Sequence, residues 1–337
     1  MSEHLLEVKN LQTNFRTGGG IVQAVRGVDL YVDAGEFLGI IGESGCGKSV
    51  TMMSILHLLE DNAAVRAETI KFNGVNLQEQ SKKQIRKLLG SQIGMIFQDP
   101  MTSLNPLYTI GNQLTEPLRQ HLNMSRSEAS KRAVEMLQLV GINEPEKRLK
   151  QYPHELSGGM RQRAMIAVAM CCNPKLLIAD EPTTALDVTI QAQIMELMAD
   201  MQKRFSTATI LITHDLGVIA SVCTRVMVMY GGKIMEEGSV DDIFYRPAHP
   251  YTEGLLRSVP NDGTGSKEKL IPIPGSPPDL MNPPAGCPFA ARCPKAMKIC
   301  ALAPAQLQDV GPDHRAACWL LHPQAKNIQN RGADYEQ

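Results

Sequence analysis

The chain has 337 residues, 43% of them apolar, with 34 basic and 35 acidic side chains for a formal net charge of −1. That length allows one large domain and a smaller one, and the balanced charge lacks the basic footprint needed by a protein that binds the backbone of DNA or RNA. Nothing at Met1-Ser2-Glu3-His4 resembles a leader, and no 18-residue apolar run is free of charge, so a cytosolic chain that spans no membrane is expected.

Apolar and polar residues alternate from Leu6 to Phe15 and again from Val28 to Val32, with Gly18-Gly19-Gly20 between them. The pattern predicts half-buried strands of a small antiparallel layer. Phe15 is placed either to stack on a nucleotide base or to fill the core. An apolar strand from Phe37 to Ile41 leads into Gly42-Glu43-Ser44-Gly45-Cys46-Gly47-Lys48-Ser49, and a helix-periodic stretch runs from Val50 to Leu59. In the order strand, loop, helix, this GxxxxGKS pattern is a phosphate-binding loop: glycines let successive amides turn inward, and the helix N-terminus adds its positive end. Gly42, Ser44, Gly45, Cys46, Gly47 and Val50 form the cradle, Lys48 reaches the β- and γ-phosphates, and the Ser49 hydroxyl ligates Mg²⁺. A hydrolase elbow, G-x-S-x-G, is excluded because its second glycine is Cys46 here.

Thr69 to Phe72 reads as a short strand closed by the turn pair Asn73-Gly74. A strand from Ile93 to Phe97 carries Gln98 at its end, where the amide can bond both a Mg²⁺-bound water and an attacking water; the stretch to Asn105-Pro106 reads as loop. From Ile110 to Glu155 the chain is mainly helical, with Ser125 or Ser127 capping a helix that ends at Val140 before Gly141, and its polar character suits a lobe outside the core. In Leu156-Ser157-Gly158-Gly159-Met160, Ser157 is an N-cap, and Gly158 and Gly159 admit an anion to a second helix terminus. The strand Leu176 to Ala179 ends in Asp180-Glu181, and ligands of open α/β sheets sit at such strand ends. Asp180 is the candidate Mg²⁺ ligand, and Glu181 the candidate general base, a role worth about 10²–10⁴ in rate. Thr209 to Thr213 ends in His214, which can contact the γ-phosphate and position the water. Arg225 to Tyr230, Gly231-Gly232 and Lys233 to Glu236 predict a hairpin at the sheet edge.

Of the eight cysteines, Cys46, Cys171, Cys172 and Cys223 read as buried or loop thiols. A proline-rich stretch from Pro260 to Gly286 reads as linker or strap. After it stand Cys287, Cys293, Cys300 and Cys318. A reducing compartment argues against disulfides and for a metal site. Zinc generally uses closer pairs, whereas iron–sulfur ligation accepts varied spacing and often a following proline, as in Cys287-Pro288 and Cys293-Pro294. The tail from Lys326 to Gln337 is polar and expected to be disordered.

Taken in order, the phosphate loop, Gln98, Leu156-Ser157-Gly158-Gly159-Met160, Asp180-Glu181, Ala185-Leu186-Asp187 and His214 resemble the nucleotide-binding subunits of ABC transporters, over about residues 6–257. Thr184 stands where serine is usual. The resemblance implies an α/β fold: a RecA-like P-loop core with an antiparallel β subdomain and a helical signature subdomain at about 100–172, all within a nucleotide-binding domain at 1–257. Beyond it would lie a linker at 258–286, a small cysteine-rich extension at 287–322 and a tail at 323–337. It further implies ATP and Mg²⁺ as ligands, Phe15 stacked on adenine, and a composite site in which Ser157, Gly158 and Gly159 complete the partner's ATP site.

A narrower resemblance rests on Phe97-Gln98-Asp99-Pro100-Met101-Thr102-Ser103-Leu104-Asn105-Pro106 and on Ala248-His249-Pro250-Tyr251 with Gly254-Leu255-Leu256. It is to the ATPases of oligopeptide and dipeptide importers, a group that includes nickel importers. This implies ATP hydrolysis that energises peptide import at the cytoplasmic face of the membrane. The implied partners are two transmembrane permease subunits touching the loop after Gln98, a second, paralogous ATPase, and indirectly an extracytoplasmic peptide-binding protein. It also implies a [4Fe-4S] cluster on the four C-terminal cysteines, with zinc as the alternative, stapling a segment with little apolar core. Nickel or another small solute is the rival cargo. A soluble ABC ATPase acting on DNA or ribosomes would be expected to carry a coiled-coil insertion or a second cassette, and neither is present.

Overall fold

The computed structural model describes residues 4–98, 103–184, 186–258 and 272–325. The expectations for Asp99 to Thr102, for Ala185, for the first part of the proline-rich stretch and for the tail from Lys326 fall outside the described residues. Strands β1 (Leu6–Thr17) and β2 (Gly20–Val32) form one long hairpin, closed where Thr17 pairs with Gly20. The short strands β4 (Ala63–Arg66), β5 (Thr69–Phe72) and β6 (Val75–Asn76) complete this antiparallel layer in the order β2-β1-β5-β6, with β4 on β1. Asn73 and Gly74, at φ 48° and 77°, join β5 to β6 through the left-handed pair that a two-residue hairpin turn requires.

The second sheet holds β3 (Phe37–Ile41), β7 (Ile93–Ile96), β8 (Leu176–Asp180), β9 (Ala208–Ile212) and β10 (Arg225–Tyr230), parallel in the order β10-β3-β9-β8-β7. Its central strands β3, β8 and β9 are buried throughout and mostly apolar because both faces are covered. Leu38, Ile40, Leu176, Ile178, Ile210 and Ile212 pack against the antiparallel layer and the helix α1 (Lys48–Ile55). Phe37, Ile41, Leu177, Ala179 and Leu211 face the other way, as the two-residue period of a strand demands.

That second face is covered by helices. α3 (Ile110–Leu122), α4 (Arg126–Leu139), α5 (Pro145–Arg148) and α6 (Gly158–Met170) come between β7 and β8, whereas α2 (Lys82–Leu88), between β6 and β7, packs Leu88 on the first face. Ser125, rather than Ser127, caps α4, in a reciprocal capping box with Glu128. The helical region is polar outside, but Ile110, Leu114 and Leu118 on α3 and Ala133, Met136 and Leu137 on α4 are fully buried and continuous with the sheet's core. α7 (Val188–Phe205), α8 (Leu216–Val222), α9 (Val240–Tyr245) and α10 (Pro250–Arg257) complete this part of the chain. α1 stops at Ile55, short of the expected Leu59, because His57 adopts φ 55°.

One expectation about the C-terminal half is corrected. The hairpin partner of β10, β11 (Lys233–Ser239), is not a sheet edge: β12 (Gln308–Gly311) and β13 (His314–Ala316) extend the sheet beyond it, with Glu236 opposite Ala316 and Glu237 opposite Arg315. Pairing from so far downstream covers the exposed edge that an isolated hairpin would present. The cysteine-bearing segment does have little apolar core: among its described residues Phe289 is the one large apolar side chain that is fully buried. Phe289, 1% exposed, packs on Tyr230 and Tyr251 at ring distances of 5.4 and 5.2 Å. The segment also contains a short helix, α11 (Lys298–Leu302), and His314, which makes a buried contact of 2.8 Å with Glu236. Among the described residues no helix is long and apolar enough to cross a membrane.

Candidate active site

The parallel register determines what stands side by side. Ile40 pairs with Ile212, Ile212 with Asp180, and Ala179 with Ile96, so Gly42, His214, Glu181 and Gln98 leave the sheet at neighbouring strand ends. At Gly42 (φ 152°) an added Cβ would sit 2.1 Å from the Met229 carbonyl oxygen, and at Gly47 (φ 106°) 2.5 Å from that of Ala24. Only glycine lets the loop press so closely on β10 and β2. Ser44 and Gly45 form its open side, while Cys46 is buried. The Lys48 side chain, 6% exposed, donates to the Gly42 and Glu43 carbonyls at 2.8 and 3.0 Å. A phosphate oxygen can take the place of these acceptors.

Below the loop, the Ser49 hydroxyl donates to Asp180 Oδ1 at 2.9 Å. Burial pushes the Asp180 carboxyl upward, opposed by that hydrogen bond. A hydroxyl and a buried carboxylate make a set of hard oxygen donors, which fits Mg²⁺. Glu181 is gripped from two sides: Gln98 Nε2 and the Thr184 hydroxyl donate to its Oε2 at 3.0 and 2.8 Å, and His214 Nδ1 lies 3.6 Å from Oε1. Its backbone has φ 46°, an αL conformation that costs a non-glycine residue about 1–3 kcal/mol and must be held by its surroundings. The grip and the Glu181 N–H to Ile212 carbonyl bond of 2.8 Å supply that hold.

Other expected residues lie apart from this constellation. Phe15 is half-buried on β1, opposite Val22 and Ala63, and belongs to neither buried core cluster. Ser157 caps α6, accepting from the Met160 amide at 3.3 Å, and with Gly158 is exposed. Among the described residues no hydrogen bond joins its side chain to the phosphate loop. One turn further on, Gln162, 1% exposed, donates to the carbonyl of Pro182, the neighbour of Glu181. This link between α6 and the Glu181 turn escapes sequence reasoning, as does the Thr184 contact. Asp187 and Asp215 are the N-caps of α7 and α8, each readable as an acidic residue before an apolar helix.

The four C-terminal thiols come together. Cys287, Cys293, Cys300 and Cys318 line one cavity of about 20 Å³ with His249, Trp319 and Leu320. Burial raises the thiols of Cys287, Cys293 and Cys318, the last to about 11, and their neighbouring sulfurs add to the rise. Four soft sulfurs without a carboxylate suit a thiolate-ligated metal group. Among the described residues, however, no three His, Cys, Asp or Glu side chains stand in a metal-holding arrangement.

Phosphate loop, buried acidic strand end and capped glycine helix on this scaffold define an ATP-binding cassette. Residues 25–184 match the ABC transporter family profile, and residues 235–300 match that of the oligopeptide/dipeptide transporter C-terminal region. The chain resembles a solved dimer of the ATP-binding cassette MJ0796 bound to ADP and Pi, at TM-score 0.63 and 29% identity over 70% of this chain and 98% of that one. It is 55% identical to the oligopeptide transport ATP-binding protein OppD of Bacillus subtilis, over 96% of this chain and 91% of that protein. It is also 53% identical to the dipeptide transport ATP-binding protein DppD of the same organism, over 96% and 97%. The chain belongs to the oligopeptide/dipeptide transport ATP-binding family of ABC transporters and is an ATP hydrolase.

Proposed function

We propose that this chain energises the import of di- and oligopeptides as one ATPase subunit of a transporter, working from the cytoplasmic face of the membrane. The observation that carries the mechanism is the grip of Gln98, Thr184 and His214 around Glu181 beside the Ser49–Asp180 pair. Lys48 exchanges its loop carbonyls for the β- and γ-phosphates, and Phe15 stacks on the adenine. Ser49 and Asp180 would hold Mg²⁺, with Gln98 reaching a water of the ion; when bound, the ion draws negative charge from the phosphate oxygens. Glu181 takes a proton from the attacking water, and His214 holds that water against the γ-phosphate.

The exposed Ser157 and Gly158 and the half-buried Gly159 at the start of α6 form a second anion-binding helix terminus, supporting a composite site completed across a dimer with a paralogous ATPase. Leu107 and Tyr108 are 81% and 53% exposed. With Asn112, Thr115, Glu116 and Arg119 nearby lining a groove of about 500 Å³, they support docking of two transmembrane permease subunits just after the Gln98 loop. An extracytoplasmic peptide-binding protein would deliver the cargo.

The four C-terminal thiols are assigned to a [4Fe-4S] cluster that staples their segment; their convergence on one cavity supports this. Iron and acid-labile sulfide should accompany anaerobically purified protein, whereas stoichiometric zinc without iron would replace the cluster by a zinc site. The transport reading is tested by uptake of labelled dipeptides, longer peptides and Ni²⁺ in cells carrying the intact subunit or Glu181→Gln. Loss of peptide uptake is expected. Loss of Ni²⁺ uptake alone would change the cargo, and no loss at all would overturn the transporter role.

A further inference from the structure

Glu43 is an anionic residue inside a loop whose task is to surround polyanions, and such a carboxylate repels phosphate unless it is neutralised and held away. Here it is both. Arg292, whose side chain is 6% exposed, forks onto it, with Nη1 to Oε2 at 2.6 Å and Nη2 to Oε1 at 2.9 Å. The same guanidinium donates to the Tyr230 hydroxyl at 3.0 Å and to the carbonyls of Pro274 and Ile273 at 2.9 and 3.1 Å. Two-point recognition in a fixed plane is what a guanidinium provides and an ammonium does not.

The rest of Glu43 is held as well. Its N–H donates to the Tyr251 hydroxyl at 2.9 Å, and its carbonyl accepts from Lys48 Nζ at 3.0 Å. Tyr251, Tyr230 and Phe289 pack ring against ring, so both hydroxyls are aimed by the aromatic cluster into which the C-terminal segment inserts. Arg292 itself is the residue before Cys293. One continuous set of contacts therefore runs from the thiol-lined cavity to the backbone of the phosphate loop.

We infer that Arg292 is a positioning residue for the phosphate-binding loop, and that through it the C-terminal cysteine-bearing segment sets the affinity for ATP. The inference goes beyond the transport function and is independent of what the thiols hold. Without Arg292, the Glu43 carboxylate is free to turn toward the phosphates, and the loop residue whose carbonyl seats Lys48 loses an anchor.

The test is binding of a fluorescent ATP analogue to the full chain, with steady-state hydrolysis in the assembled transporter. Arg292→Ala should weaken nucleotide binding by about tenfold, within the usual range of coupling between sites, and kcat at saturating ATP should fall by less than KM rises. Arg292→Lys, which keeps the charge but not the fork, should lie between Arg292→Ala and wild type. The decisive comparison uses Glu43→Gln: with the carboxylate gone, the further change Arg292→Ala should cost less than about twofold, because interacting residues are not additive. An equal loss from Arg292→Ala in both backgrounds, or nucleotide affinity unchanged by Arg292→Ala, overturns the inference. If Arg292→Ala does not fold, Arg292→Gln takes its place in the same cycle. Failure of wild type to bind the analogue would instead strike at the nucleotide site itself.

Discussion

The ATP-binding core and the C-terminal segment use opposite means to place side chains. In the core, regular elements do the positioning: β3, β8 and β9 end in register, β8 at Asp180 itself, and Gly42, Glu181 and His214 follow within two residues. In the segment from 272 to 325, regular structure is confined to two short strands and brief helical turns, and long-range side-chain contacts hold the chain. Arg292 reaches Glu43, His314 reaches Glu236, Arg315 reaches Glu237, and Arg26 donates to the Pro284 carbonyl at 3.1 Å. A site built by the first means tolerates change elsewhere on the surface. One held by the second depends on a few charged and aromatic anchors.

Removing an anchor sharpens that contrast most. Phe289→Ala should destabilise by about 3–5 kcal/mol, the usual cost of deleting a buried phenylalanine ring. Hydrogen exchange should show the loss concentrated around residues 287–318, with β3, β8 and β9 still protected; uniform loss across both regions would erase the distinction. A smaller effect is expected from Ser125→Ala, which breaks the capping box of α4 at a cost of about 1 kcal/mol. That loss should appear in the helical region and leave exchange around Phe289 unchanged.

A further expected effect is on pH dependence. His249 is buried against Phe289 at a ring distance of 6.0 Å, and its Nδ1 accepts the Tyr251 N–H at 3.0 Å. Burial lowers its pKa from 6.5 to about 3, so the folded chain stays unprotonated where the unfolded chain takes up a proton. Its contribution to stability is complete above about pH 6.5 and is lost progressively as the pH falls toward about 3. Between pH 7 and 5, Tm should therefore fall more steeply for wild type than for His249→Gln. Parallel curves would show that the segment does not hold this ring neutral.

The same contrast explains what the sequence could reveal. The phosphate loop, the Asp180-Glu181 strand end, the Ser157 cap and the Asn73-Gly74 turn are local patterns, each with a physical reason for its residue types at that spacing. The Glu43–Arg292 pair joins positions 249 residues apart, and β13 pairs with β11 across a long stretch without regular strand pattern. Neither leaves a local trace. Thr184 and Gln162 were hidden for another reason: a threonine or glutamine in a helix or turn is common, and only the fold shows that these two touch Glu181 and its neighbour Pro182.

The central claim is that Glu181, held as the structure holds it, is the base that drives hydrolysis. Its most direct test is ATP binding and turnover by Glu181→Gln in the assembled transporter. Binding should be retained while kcat falls by about 10²–10⁴, with the ATPase pair accumulating in its ATP-bound closed form; turnover at the wild-type rate would contradict the account.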